Sequence, residues 1–245
     1  IYSMTKPITS VAFMMLVEQG LVALEDPVHR YIPSWRGLSV YVAGLPGMFQ
    51  TRPTDAPMRI IDLLRHTSGL TYGFQMRSNV DAVYRQRKAE PSERDDSLDA
   101  FIETLSELPL EFSPGSAWNY SVSTDVLGYL VGKLSGVPFD QFVRDRILTP
   151  LGMVDTDFHV PQDKRQRFAE CYMAGPEGKL VPAKIRSFLE PPAAPSGGGG
   201  LVDGAQDGHS GFDQADHHRI AGAASNEGLG AVDRIDQPDA LGAHV

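Results

Sequence analysis

The stretch IYSMTKPITSVAFMMLVEQGLVALEDPVHRYIP, residues Ile1–Pro33, decides the fold. Within it Ile8, Val11, Ala12, Met15 and Leu16 recur at helical spacing, and Gly20 stands where a helix would stop. Pro7 suits a first turn, where its missing N–H costs nothing. The pattern predicts a buried helix over Thr5–Gln19. Just ahead of it, Ser3-Met4-Thr5-Lys6 has the spacing S-x-x-K.

Serine and lysine three apart at a helix start share one face within a single turn. A serine hydroxyl is a poor nucleophile until a base takes its proton, and a lysine serves where burial and nearby donors lower its pKa. A helix N-terminus also offers the serine backbone N–H to an oxyanion. Alone the motif is weak, because two fixed positions in four recur by chance. The competing reading is an N-cap serine beside a solvated lysine.

Outward from this helix, Leu24–Pro33 reads as a turn-and-bend segment between prolines. Ile60–Arg65 reads as a short helix running into HTSGL, His66–Leu70. Ser97–Leu108 is a second clear helix, with Leu98, Phe101, Ile102 and Leu105 on one face. FSPGSAWNYS, Phe112–Ser121, is turn chemistry that leads into a helix over Ser123–Leu134, ended by Gly136. A fourth helix is expected over Phe139–Ile147, followed by TPLGM, Thr149–Met153. Tyr172–Lys179 reads as a strand-and-turn pair.

At 245 residues, with 42% hydrophobic and 22% charged, the chain is long enough for a sizeable core and is no collagen or disulfide-stapled miniature. Its one cysteine, Cys171, excludes an internal disulfide. The longest uncharged apolar-rich run, Pro7–Val17, has eleven residues, against roughly 20 needed to cross a bilayer. The net charge of −9 argues against non-specific nucleic-acid binding. Most of it is local: residues 203–245 carry eight Asp/Glu against two Arg, leaving 23 acidic against 20 basic over residues 1–202. The sharpest composition break is PPAAPSGGGGLV, Pro191–Val202. Beyond it come eight Ala, seven Gly and seven Asp in 43 residues, with Phe212 the only aromatic. Such a segment has little to bury against the entropy of ordering and is expected to be a disordered tail.

Five segments, in order, carry a resemblance: the opening stretch, LLRHTSGLTYGF (Leu63–Phe74), FSPGSAWNYSVSTDVLGYLVGKLSG (Phe112–Gly136), ILTPLGMVDTDF (Ile147–Phe158) and SGGGGLV (Ser196–Val202). Together they resemble the serine β-lactamase and penicillin-binding-protein superfamily, in particular the β-lactamase-like esterases of the family VIII type. The resemblance covers most of residues 1–202 and none of 203–245. It implies an α/β (α+β) fold of the β-lactamase/transpeptidase type: a mostly antiparallel sheet flanked by helices, with a helical subdomain. It implies that Ser3 is the acylated nucleophile, that Lys6 activates it, and that Tyr120 in NYS shuttles the proton. A tyrosine, with a pKa of about 10, acts as a base only where a cation stabilises its phenolate. Whether Lys6 or Tyr120 is the base stays open.

The departures matter as much. Lactamases follow the tyrosine with x-Asn, whereas Ser121-Val122 stand here; Val122 cannot make amide contacts to a lactam side chain. Asn119 lies on the wrong side of the tyrosine. No third box of the Lys-Thr-Gly or Trp-Gly-Gly kind is present, nor are the strands that the family has before its S-x-x-K helix. The sheet is therefore expected to be incomplete, and losing one oxyanion donor costs roughly 100- to 1000-fold in rate. Ile1 at the start reads as a fragment or processed form, truncated at both ends. A reading-frame shift after Val202 is the expected cause of the aberrant tail. The organisation expected is a partial hydrolase domain over 1–202 and a tail over 203–245.

His66 reads as a loop-supporting residue and Gly197–Gly200 as a close backbone approach near the site. GHSGF, Gly208–Phe212, lacks the final glycine of a nucleophile elbow, and His217-His218 offers no trusted metal-ligand spacing. The expected activity is hydrolysis of a carboxylic ester or amide through a Ser3 acyl-enzyme. The alternatives are a β-lactamase or D-Ala-D-Ala carboxypeptidase, and a catalytically dead fragment that still binds ligand. No metal or organic cofactor is implied, and the partner expected is a small ester or amide, not nucleic acid. Compartment, cytoplasmic or periplasmic, and oligomeric state stay open.

Overall fold

A computed structural model describes residues 1–176, 179–182 and 188–203, with the backbone of 205–206 and 209–210. GHSGF as a whole, the His217-His218 pair and nearly all of the expected tail lie outside the described residues.

Helix α1 spans Thr5–Glu18. Ile8, Ala12, Phe13 and Leu16 are completely buried along it, the stripe that a period of 3.6 requires. Its main partner is α5, Ser123–Ser135, which buries Val126, Leu127, Leu130 and Val131. Gly136 ends α5 in the left-handed region at φ 73°, where a side chain would be strained. Between them come α2, Ile60–Leu64; α3, Asn79–Arg87; and α4, Leu98–Ser106. Ser97 caps α4 by accepting a hydrogen bond from the Ala100 N–H at 3.2 Å. Helix α6, Phe139–Val143, stops earlier than the sequence pattern suggests. It widens into a π turn over Arg144–Leu148, which carries both Ile147 and Leu148 into the core.

Strands β1, Ser39–Leu45, and β2, Met48–Pro53, form an antiparallel hairpin with an irregularity between Tyr41 and Ala43. Strands β3, Tyr172–Ala174, and β4, Leu180–Pro182, form a second, at the place where a strand-and-turn pair is expected. A third joins β5, Ala205–Gln206, to β6, His209–Ser210. Among the described residues the strands remain three separate two-stranded antiparallel pairs.

Besides the short β5–β6 pair, which stands where a disordered tail is expected, two elements escape the sequence reading. One is α3, whose start is fixed by a reciprocal cap between Ser78 and Asp81. The other is the β1–β2 hairpin. The glycine-rich segment also has a larger role than its composition suggests. Val202 pairs with Asp157, the Ile1 ammonium donates to Leu201 O at 2.8 Å, and Thr9 Oγ1 donates to Gly197 O at 2.8 Å. This chain of contacts lays residues 196–202 against the start of α1.

Candidate active site

Ser3 lies in a 3₁₀ turn, Tyr2–Met4, that runs directly into α1. One turn on, Lys6 Nζ lies 3.4 Å from Ser3 Oγ. Tyr120, in the turn that feeds α5, brings its hydroxyl into hydrogen-bond contact with Ser3 Oγ. The three residues singled out in the sequence therefore meet, although Tyr120 is 117 positions from Ser3. The N-cap alternative for Ser3 fails on geometry. Met4 occupies the α1 N-cap with no side-chain cap bond, and Lys6 is half-buried and donates to Gly198 O at 2.7 Å.

Aromatic rings fix Tyr120. Its ring centre lies 5.1 Å from that of His66 and 5.2 Å from that of Tyr72, while Gln75 Nε2 donates to its carbonyl. Lys6 Nζ stands 4.5 Å from the Tyr120 ring centre and 5.4 Å from that of Tyr72, within cation–π range of both. His66 adopts the left-handed region at φ 57°. Burial and the Lys6 charge lower its pKa to about 4, so it is neutral near pH 7. Its Nδ1 lies 3.2 Å from Ser121 Oγ, which continues through Ser123 to Ser68 in a chain of hydroxyls. These contacts match a supporting role for that loop.

Val122 is fully buried in the core, so its position in the chain offers nothing to a ligand beside Ser3. The Asn119 amide is engaged by the neighbouring segment after α2, donating to Leu70 O at 3.0 Å and accepting from Arg77.

The site also holds a carboxylate that sequence reasoning missed. Asp125, fully buried in α5, accepts from Ser196 Oγ at 2.5 Å and from the Gly198 N–H at 2.9 Å through Oδ1. Its Oδ2 accepts from the Tyr72 hydroxyl at 3.3 Å. Burial pushes the Asp125 carboxyl up, and the Ser196 and Gly198 hydrogen bonds and the Lys6 charge pull it back. The signal was available: Asp125 sits in the apolar stripe of its helix, three after Val122 and one before Val126. The glycines here have a steric cause. A Cβ on Gly198 would come within 2.5 Å of Asp125 Oδ2 and 2.6 Å of the Tyr72 hydroxyl.

Among the described residues no group of three or more His, Cys, Asp or Glu could hold a metal, and no helix is long and apolar enough to cross a membrane. Cavities of about 440 and 250 Å³ lie elsewhere, the first beside Tyr129 and Phe139, the second beside Trp35 and Met58; neither is lined by Ser3, Lys6 or Tyr120.

Comparison with known proteins places the chain in a family. The Beta-lactamase family model matches residues 1–229, running past Val202 where the recognisable motifs end. Protein Rv1367c of Mycobacterium tuberculosis is 35% identical over 208 residues, covering 84% of this chain and 51% of that protein. Esterase EstB of Burkholderia gladioli is 33% identical over 227 residues, covering 84% and 53%. Among solved structures, a variant of simvastatin synthase from Aspergillus terreus superposes with a TM-score of 0.65 at 26% identity, covering 82% of this chain and 48% of the other. The chain thus spans about half the length of the relatives it matches. Its helices and small antiparallel strand pairs are those of a β-lactamase/transpeptidase-like fold, and the chain belongs to the beta-lactamase family.

Proposed function

We propose that this chain is a serine hydrolase acting on carboxylic esters, or on amides, through an acyl-enzyme at Ser3. The observation that carries the reading is the contact of the Ser3 and Tyr120 hydroxyls with Lys6 Nζ 3.4 Å from Ser3 Oγ. Tyr120, in direct contact, acts as the phenolate that the Lys6 ammonium beside its ring stabilises, and takes the Ser3 proton as Oγ attacks the carbonyl carbon, which leaves Tyr120 a neutral phenol. The oxyanion intermediate collapses, the C–O bond to the alcohol breaks, and the proton passes to the departing alkoxide. Water then attacks the Ser3 ester and gives a proton to the same relay. The acid leaves and Ser3 regains its hydrogen.

Esters are favoured over lactams because Val122 is buried in the core and the Asn119 amide is bonded to the Leu70 carbonyl. EstB, by its name an esterase, supports the same choice. Two measurements test the proposal. A fluorophosphonate probe should label the folded chain at Ser3 and not label Ser3→Ala. Turnover of p-nitrophenyl butyrate should exceed that of nitrocefin. Absence of labelling in folded protein would leave the reading of a dead fragment, and faster nitrocefin turnover would favour the lactamase reading.

A further inference from the structure

We infer that Asp125 is a positioning residue that sets the location of Lys6 through the backbone of Gly198. This rests on the reading of Ser3, Lys6 and Tyr120 as the reacting group. The geometry points to it in three steps. Lys6 carries its Nζ between two supports: the Gly198 carbonyl, which accepts from it at 2.7 Å, and the faces of Tyr72 and Tyr120. Asp125 holds both the glycine segment and the first of those rings. Its Oδ1 fixes Gly198 N–H and Ser196 Oγ, and its Oδ2 fixes the Tyr72 hydroxyl. The peptide whose carbonyl receives Lys6 thus belongs to a residue whose N–H is tied to Asp125.

A buried carboxylate is costly unless donors satisfy it. The donors here come from two loops far apart in sequence, one holding Tyr72 and the other Ser196 and Gly198, and Asp125 on α5 joins them. Without the carboxylate, three buried donors lose their acceptor, and the Gly198 segment can withdraw from α1. Lys6 would then lose its acceptor and drift from Ser3 Oγ. Displacing a reacting group by about 1 Å costs on the order of 100-fold in rate.

Asparagine is the conservative replacement. Its amide oxygen can keep the two Oδ1 bonds while its NH₂ donates to the Tyr72 oxygen. The test uses the full chain. Asp125→Ala should lower kcat on p-nitrophenyl butyrate about 100-fold with KM within about twofold, and Asp125→Asn should restore kcat to within about tenfold of the original. Acetic anhydride followed by peptide mass spectrometry gives a readout independent of turnover. Acetylation of Lys6 should accelerate in Asp125→Ala and not in Asp125→Asn, with the other lysines unchanged.

Should Asp125→Ala fail to fold, Gly198→Ala keeps the carboxylate but drives its methyl toward Asp125 and Tyr72, and should reproduce both the kcat loss and the Lys6 exposure. Full activity in Asp125→Ala or Gly198→Ala, or unchanged Lys6 acetylation in both, overturns the inference. An original chain that neither turns over ester nor takes the probe, yet protects Lys6 in an Asp125-dependent way, supports the positioning link while overturning the proposed hydrolysis.

Discussion

Helix α1 and the β1–β2 hairpin belong to one fold but are held in opposite ways. Along α1, Ile8, Ala12, Phe13 and Leu16 are sealed from solvent, and even Thr5 and Thr9 are buried with hydroxyls engaged by the glycine segment. In the hairpin only Val40 is buried; Val42, Leu45 and Met48 are 55%, 60% and 74% exposed. Every side chain of the proposed reacting group rides on the first kind of structure. Ser3 and Lys6 sit at the start of α1, and Tyr120 sits in the turn entering α5, its packing partner. A proton relay needs atoms held within a fraction of an ångström, and close packing supplies that restraint where a half-exposed hairpin cannot.

The largest expected effect tests whether the chemistry resides on the packed side. Tyr120→Phe keeps the ring contacts with His66 and Tyr72 but removes the hydroxyl, and should slow acylation by about 10²- to 10⁴-fold in pre-steady-state assays with p-nitrophenyl butyrate. A loss below tenfold would remove Tyr120 from the relay. Next, Phe13→Ala should cost about 3–5 kcal/mol in urea unfolding through the cavity it leaves beneath α1. A cost near zero would mean that α1 is not the anchor described here.

A third effect sharpens the comparison by pH. His66 is held neutral by burial and by the Lys6 charge, its pKa lowered from 6.5 to about 4. Between those values the unfolded chain binds more protons than the folded one. The stability that His66 contributes is therefore complete above pH 6.5 and is lost as pH falls from there toward 4. His66→Asn, which tolerates the left-handed backbone, should lose less stability than the original chain across that window. Parallel curves from unfolding at a series of pH values would contradict this. Smallest of all, Leu45→Ser at the hairpin tip should shift stability by no more than about 0.5 kcal/mol. A cost above 1.5 kcal/mol would show that this face is covered in solution.

The elements differ in how plainly they could be read. Helices α1, α4 and α5 announce themselves by apolar spacing, by Ser97 as a cap and by Gly136 as a stop, each a local property of the chain. Helix α3 did not, because Val80, Val83 and Tyr84 lie among arginines and its cap uses Asp81 where a glutamate is the usual mark. The β1–β2 hairpin turns at Pro46-Gly47, and its irregularity at Tyr41/Ala43 breaks the alternation that reveals a strand. In the site, Ser3 and Lys6 were legible from spacing and Tyr120 from resemblance. Asp125 was not recognised, since one acid in an apolar stripe has no meaning until its donors are known.

By itself the sequence determined the helical frame, the S-x-x-K face and the family, because periodicity, caps and motif spacing act within one or two turns of chain. Only the tertiary structure decided that Tyr120 reaches Ser3, that Lys6 is bonded to Gly198 and so is not a solvated surface charge, and that Val122 belongs to the core. It also gave the buried carboxylate its partners. Those outcomes depend on hydrogen bonds between residues up to about two hundred positions apart, and such contacts exist only after α1, α5 and the glycine segment have packed together.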